Sequence, residues 1–183
     1  MMNETPDTQT PPPSGSPPPQ PPSPAKAAPV AVILSLWFGA GLLKPAPGTW
    51  GSLVALAMGW GLLLLHPWAL YAGIVLVSLI GIWAADVYQR VSGRHDASEV
   101  VIDEVAGQWI TLAALPLIGA AATLETLAAA FVLFRLFDIF KPGPIGWADR
   151  KVAGGLGVMA DDILAGLAAG LCLWAAVEFG GIG

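Results

Sequence analysis

Two charged residues interrupt an apolar stretch in the second half of the chain. In FVLFRLFDIF, residues 131–140, Arg135 and Asp138 are three positions apart and therefore share one face of a helix. An ionised group near the middle of a membrane costs about 3 kcal/mol, so both side chains must face protein or water. Either they form a salt bridge that fixes helix packing, or Arg135 binds an anion while Asp138 holds a metal ion.

Two pairs of adjacent acidic residues precede apolar runs. Asp103 and Glu104 precede VAGQWITLAAL, and Asp161 and Asp162 precede ILAGLAAGL. Acids stabilise helix N-termini through the helix dipole, which is one possible role for them. Adjacent side chains project about 100° apart on a helix, however, so both members of a pair cannot serve as caps. Paired carboxylates also suit a hard cation, which prefers oxygen ligands.

These acids together require a compensating charge. Several carboxylates at one site repel each other unless a divalent cation joins them, and nearby Arg135, Lys141 and Lys44 favour an anion beside that cation. We therefore predict a magnesium ion together with a phosphate group. The predicted metal ligands are Asp103, Glu104, Asp138, Asp161 and Asp162.

Neighbouring motifs contain further candidates. Thr49 in PGTWGS is either the N-cap of a helix or a contact to substrate. His95 lies in a connector, where it is either solvated or a general acid/base. The glycines of GGLG, residues 154–157, form either a flexible turn or a backbone cradle for phosphate oxygens.

The composition indicates a membrane protein. Of the 183 residues, 55% are hydrophobic and only 11% are charged, whereas about 25% are charged in soluble domains. The net charge of -5 argues against nucleic acid as a partner, because phosphate backbones need a basic surface. Cys172 is the only cysteine, which excludes an intrachain disulfide.

Six apolar runs predict an all-α, polytopic membrane bundle of about five to six helices, since a spanning helix needs about 20 residues. The first run is marginal in length. The runs are residues 29–43, 49–65, 68–85, 105–124, 125–140 and 161–179. Residues 1–29 are rich in Pro and Ser and are predicted to form a disordered tail, which leaves residues 30–183 as the helical membrane domain.

The basic residues predict the orientation of the bundle. After residue 31, Lys and Arg occur only in the connectors 44–48, 86–103 and 141–161, apart from Arg135. If five helices cross the membrane after Lys44, these three connectors lie on one side. The positive-inside rule makes that side cytoplasmic, so the predicted polar site lies at the cytoplasmic edge.

Four motifs, in this order, resemble the phosphatidylglycerophosphatase A family. They are PGTWGSL (47–53), HDASEVVIDEVAGQWIT (95–111), FVLFRLFDIFKPGPI (131–145) and GGLGVMADDILAG (154–166). The resemblance covers roughly residues 39–169. It implies a magnesium-dependent lipid phosphatase of the bacterial inner membrane, which removes the terminal phosphate of phosphatidylglycerophosphate to give phosphatidylglycerol.

The resemblance also implies roles for individual residues. The acids Asp103, Glu104, Asp138, Asp161 and Asp162 are the implied metal-binding and catalytic set, Arg135 and Lys141 are implied phosphate partners, and Asp96 belongs to the same motif block. Lys44 and Thr49 are further candidates for substrate binding. We predict attack by a metal-activated water, with one of the acids or His95 as general base; a carboxylate nucleophile remains the alternative.

A protein of another class is the second hypothesis. Intramembrane charges also bind ions in non-enzymatic membrane proteins such as transporter subunits. Transporters usually place such charges near the middle of the bilayer in broken or repeated helices, whereas these charges cluster at one edge. A CDP-alcohol phosphotransferase is disfavoured because its DGxxAR signature is missing from the sequence.

Overall fold

The computed structural model describes residues 23–94 and 97–182. Every regular element within these ranges is helical, which confirms the all-α class. The elements are α1 (Pro24–Ala27), α2 (Pro29–Ser35), a 3-10 helix η1 (Trp37–Leu42), α3 (Pro47–Leu65), α4 (Pro67–Ser92), α5 (Ile102–Leu112), α6 (Ala114–Leu117), α7 (Leu124–Phe140), α8 (Pro144–Lys151) and α9 (Gly154–Gly180).

Three helices are long and apolar enough to cross a membrane: α3, α4 and α9, with 19, 26 and 27 residues. The prediction of five to six spanning helices is therefore wrong within the described ranges. The first apolar run is broken by Phe38 and Gly39, whose φ angles are 55° and 100°. The run that contains Pro116 is divided into α5, of 11 residues, and α6, of 4 residues. Helix α7 has 17 residues and carries Arg135 and Asp138.

A tight turn at His66 joins α3 to α4. Pro67 begins α4 at a position where a missing N–H group costs no helical hydrogen bond. His66 Nδ1 accepts a hydrogen bond from the Trp68 amide at 3.2 Å and so caps the helix. The turn carries no Lys or Arg, in contrast to the connectors at the other end of the bundle.

Helix α5 is the centre of the bundle and packs against α3, α4, α7 and α9. Its 11 residues span about 16 Å, too short to cross a hydrocarbon core of about 30 Å. Polar groups link it to its neighbours. Trp109 Nε1 donates to the Ala55 carbonyl of α3 at 2.7 Å, and Thr111 Oγ1 donates to the Gly166 carbonyl of α9 at 3.3 Å.

Glycines bring α5 and α9 into close contact. A Cβ atom added to Gly166 would lie 2.9 Å from Gly107 Cα. A Cβ atom added to Gly107 would lie 2.6 Å from the Asp162 carbonyl oxygen and 2.8 Å from Phe134 Cζ. Small residues permit this approach of backbones, which is common in membrane helix packing. The contact brings the first turn of α5 close to Asp162.

The outer surface of the bundle is apolar. Leu64, Leu76, Leu79 and Leu171 are all at least 60% exposed, and they belong to the three helices that can cross a membrane. Such a large exposed apolar surface is suited to lipid rather than to water. The chain is therefore a membrane protein.

The predicted tail, residues 1–29, lies mostly outside the described residues. Within the described part, α1 occupies Pro24–Ala27 and α2 begins at Pro29. The division into a tail and a domain of residues 30–183 stays a prediction.

The α5–α9 contact generates a prediction about stability. Gly166→Ala forces a methyl group into the Gly107 backbone, and overpacking of this kind costs about 1–3 kcal/mol. We expect a lower unfolding temperature in detergent, measured by tryptophan fluorescence.

Gly180→Ala is the matched control on the same helix. Among the described residues, a Cβ atom at Gly180 would meet only Ala176 Cβ, at 3.9 Å. Equal unfolding temperatures for the two variants would contradict the close approach of α5 and α9.

Candidate active site

A polar cavity of about 380 Å³ opens at the end of the bundle where the charged connectors meet. Five carboxylates and two cations line it, on elements that are far apart in sequence. The charged lining residues are Asp103, Glu104, Arg135, Asp138, Lys141, Asp161 and Asp162. The cavity thus brings together all five predicted metal ligands and two of the four predicted substrate-binding residues.

Three of the acids form a tight cluster. Asp103, Glu104 and Asp162 each offer an oxygen atom, and these three oxygens lie within 4.8 Å of one another. Asp103 and Glu104 are in the first turn of α5, as predicted. Asp103 Oδ1 accepts a hydrogen bond from the Glu104 amide at 3.1 Å. Glu104 Oε2 is buried without a hydrogen-bond partner among the described residues and so remains available to a ligand.

Asp161 and Asp162 do not lie at the start of a helix, contrary to the interpretation of the sequence. Helix α9 begins at Gly154, about two turns earlier, because the GGLGVMA segment is helical. A helix-capping role for the two acids is thereby excluded. Both side chains are buried, at 6% and 3% exposure. They lie about 10 Å along α9 from its first residue.

Arg135 connects three helices around the acids. Its Nη1 atom forms an ion pair with Asp138 one turn further along α7. The same atom lies 3.9 Å from Glu104 Oε1 of α5 and donates to Ser52 Oγ of α3 at 3.4 Å. Ser52 in turn donates to the Gly48 carbonyl at 2.7 Å. Arg135 therefore has a structural role in packing, and it also faces the cavity.

Several buried polar atoms of the site have no hydrogen-bond partner among the described residues. They include Glu104 Oε2, Asp161 Oδ1 and Arg135 Nε. Buried polar atoms are normally paired, and exceptions are found at sites that bind an ion, water or ligand. The two carboxylate oxygens fit a cation, and the guanidinium N–H fits an anion.

Lys141 is held between two acids. Its Nζ atom lies 2.5 Å from Asp149 Oδ1 of α8 and 2.6 Å from Asp161 Oδ2 of α9. Lys141 follows α7 with φ 44° and ψ 54°, in the left-handed region that costs a residue with a side chain about 1–2 kcal/mol. The two ion pairs offset this strain and fix the ammonium group at the cavity.

Burial has opposite effects on the acids and on the lysine. The pKa of Glu104 is raised from 4.5 to about 8, mainly by burial and also by the negative charges of Asp162 and Asp138. Burial raises the pKa of Asp103 well above 3.8, and the neighbouring Glu104 adds to this. Burial would lower the pKa of Lys141, but hydrogen bonds to Asp149 and Asp161 outweigh it, and the pKa rises above 10.5. The cavity thus disfavours additional negative charge unless a cation is present.

Other predicted site residues lie elsewhere. Lys44 lines a neighbouring cavity. Thr49 is the third residue of α3, which begins at Pro47 after the N-cap Ala46, so Thr49 is not an N-cap, and it does not line the acidic cavity. His95 and Asp96 lie outside the described residues.

The GGLG segment forms neither a flexible turn nor a cradle in the acidic cavity. It is the first turn of α9, and the Gly155 amide donates to Asp86 Oδ1 of α4 at 3.4 Å. A Cβ atom on Gly155 would meet the Asp86 amide nitrogen at 2.7 Å. The glycines therefore allow α9 to begin against α4.

Three residues of the site were missing from the predicted set. Asp149 pairs with Lys141, but in the sequence it stands beside Arg150 and Lys151 and is typical of a solvated helix face. Ser52 and Gly48 support Arg135. The only sequence signal for these two was their position in the PGTWGSL motif.

Comparison with known proteins identifies the family. The sequence model described as phosphatidylglycerophosphatase A matches residues 33–177, which include every acid of the cavity. This chain belongs to the phosphatidylglycerophosphatase A family. The family resemblance inferred from the motifs is thereby confirmed. No solved structure matches the chain.

Three curated relatives of this family member have informative names. Phosphatidylglycerophosphatase A of Escherichia coli is 43% identical over 136 residues, covering 74% of this chain and 76% of that protein. Phosphatidylglycerophosphatase A of Haemophilus influenzae is 40% identical over 144 residues, covering 78% and 86%. A putative phosphatidylinositol-3-phosphatase of Bacteroides thetaiotaomicron is 41% identical over 144 residues, covering 74% and 86%.

Gly48 generates a prediction about the site of this family member. A Cβ atom there would collide with Glu104 Oε1 and lie 3.2 Å from Arg135 Nη1. Gly48→Ala should displace both side chains, and a shift of about 1 Å can cost 100-fold in rate. We expect a loss of that order in phosphate release from a lipid phosphomonoester.

Gly61→Ala, on the same helix, is the matched control. A Cβ atom at Gly61 meets no atom of the described residues within 4 Å. If Gly48→Ala retained the activity of Gly61→Ala, the close packing of Gly48 against the two charged side chains would be irrelevant to the reaction.

Proposed function

We propose that this chain is a lipid phosphatase that hydrolyses the terminal phosphate monoester of phosphatidylglycerophosphate and leaves phosphatidylglycerol. The observation that carries the proposal is the cavity in which a cluster of three carboxylates lies beside Arg135. An acidic cluster next to a buried guanidinium suits a phosphate that arrives with a cation. Membership of the family and the names of two relatives support the choice of substrate.

The proposed cofactor is Mg²⁺. Asp103, Glu104 and Asp162 would hold it, since their oxygens already lie within 4.8 Å of one another and Glu104 Oε2 is buried without a partner among the described residues. Asp138 and Asp161 line the same cavity and complete the proposed ligand set. When bound, Mg²⁺ supplies positive charge to the phosphoryl oxygens, which is the main requirement of phosphoryl transfer.

The residues of the chain provide orientation and proton transfer. Arg135 and Lys141 bind the phosphoryl oxygens and align the phosphorus with the attacking water. Water forms the new bond to phosphorus as the bond to the glycerol oxygen breaks. A carboxylate of the cavity accepts the proton of the water, and the leaving glycerol oxygen takes up a proton. Orthophosphate and phosphatidylglycerol are the products.

The position of the cavity suits a substrate that stays in the membrane. Ile139 lines the cavity and is 62% exposed, so apolar surface reaches the rim of the polar site. The acyl chains of the lipid remain in the bilayer while the phosphate enters the cavity. The helix ends and connectors at this end carry Lys44, Arg90, Arg94, Lys141, Arg150 and Lys151. By the positive-inside rule we place the site on the cytoplasmic side of a bacterial inner membrane.

The first test is phosphate release from phosphatidylglycerophosphate in detergent micelles. We expect release with Mg²⁺, loss of release with excess chelator, and a loss of at least about 100-fold in Asp138→Asn, because this variant removes a proposed Mg²⁺ ligand and the ion-pair partner of Arg135. The matched control is Glu125→Gln, which neutralises an exposed acid at the opposite end of α7 and should retain activity.

Two results would contradict the proposal. Absence of release by folded protein supplied with Mg²⁺ would favour an ion-binding or transport role for the charges. Faster release of phosphate from phosphatidylinositol 3-phosphate than from phosphatidylglycerophosphate would favour a phosphatidylinositol-3-phosphatase activity, for which the Bacteroides relative is named.

Magnesium binding has a second test that does not depend on activity. Because a ligand that binds only the folded state stabilises it by about 2.7 kcal/mol at a hundredfold excess over Kd, Mg²⁺ should raise the unfolding temperature. We expect Asp162→Asn to abolish this increase. Glu178→Gln, an exposed acid near the far end of the same helix, should keep it. An equal increase in both variants would place the ion elsewhere.

A further inference from the structure

A second cavity lies beside the acidic one. Its volume is about 430 Å³, and it shares Pro47 and Ser98 with the wall of the acidic cavity. Lys44, Tyr88, Arg94 and Glu99 supply its polar side chains, and Leu36 and Leu42 are among its apolar residues. The two cavities are therefore neighbours along one edge of the bundle.

The second cavity has the opposite charge balance. Arg94 forms an ion pair with Glu99, which also accepts a hydrogen bond from Tyr88 Oη at 2.9 Å. Among the described residues, Glu99 is the only acid that lines this cavity, so its charge is already matched by Arg94. Lys44 makes no ion pair with any residue in the described ranges. Lys44 is exposed, and its positive charge favours an anion in this cavity.

The boundary between the cavities also favours an anion. Pro47 belongs to both walls and is the first residue of α3, a helix of 19 residues. The first amides of a helix have no carbonyl partner within it, and the helix dipole makes this end partly positive. An anion at the boundary would therefore meet the α3 N-terminus on one side and Lys44 on the other.

The proposed substrate contains two different phosphate groups. Its terminal group is a monoester, and one glycerol unit away is the phosphodiester that joins the head group to diacylglycerol. The five carboxylates of the acidic cavity would repel a second anion that brings no cation. The neighbouring cavity, with the Lys44 ammonium group and apolar residues beyond it, suits the diester and the start of the acyl chains.

We propose that the second cavity binds the phosphodiester of the lipid substrate and that the ammonium group of Lys44 contacts it. This inference rests on the proposed function and names the part of the substrate that Lys44 recognises. It makes the enzyme selective for a head group that carries a monoester and a diester at a fixed spacing.

The test compares the kinetics of Lys44→Met and wild type with phosphatidylglycerophosphate in mixed micelles. Loss of one charge-assisted contact away from the reacting bond should raise KM about tenfold and change kcat less than about twofold. Lys44→Arg should restore most of the lost affinity. Lys151→Met, which removes an exposed charge outside both cavities, controls for attraction between a basic surface and anionic micelles and should keep the wild-type KM.

Two water-soluble inhibitors separate the two phosphate sites. Glycerophosphoglycerol has a phosphodiester without a monoester, and orthophosphate mimics the monoester alone. In Lys44→Met, inhibition by glycerophosphoglycerol should weaken about tenfold while inhibition by orthophosphate stays the same. An unchanged KM, a fall in kcat alone, or equal weakening of both inhibitors would overturn the assignment of Lys44 to the diester. Absence of activity in wild type would instead overturn the proposed function.

Discussion

Negative charge at the polar end of an apolar bundle is the constraint on which this structure depends. Burial of a carboxylate without compensation is unfavourable, yet Asp103, Asp161 and Asp162 are each less than 10% exposed. Arg135 and Lys141 compensate part of this charge and join α3, α5, α7, α8 and α9 in doing so. The charged contacts of the site therefore also hold these five helices together.

The sequence predicted the helical class and the membrane environment, because long apolar runs with few charges are typical of helices in a bilayer. It did not predict which of these apolar runs are long enough, as continuous helices, to cross the membrane. Hydropathy does not register that Phe38 and Gly39, with positive φ angles, break the first apolar run or that the segment before Pro116 is a short central helix. Helix α5 packs against four neighbouring helices, so its apolar residues are buried in protein and need not face lipid.

The acids of the site were predictable because carboxylates are rare in apolar helices and expensive there. Their neighbours were harder to recognise. Asp149 is part of the Lys141 ion pair only because α8 folds back onto α9, and no local pattern encodes that contact. Gly48 matters because it has no side chain and so leaves room for Glu104 and Arg135. From the sequence alone, Gly48 is interpreted only as a turn residue. Thr49 drew attention by residue type, but the start of α3 at Pro47 removed its capping role.

Helix α9 carries Asp161 and Asp162 about 10 Å from its first residue, within one of the apolar helices that can cross a membrane. In the proposed function, the reacting bond is then broken near the depth of the lipid head groups, and the lipid need not leave its leaflet. Collision between enzyme and substrate is then a two-dimensional event. The rate will follow the mole fraction of substrate among the surrounding lipids, and dilution of the aqueous phase will not change it.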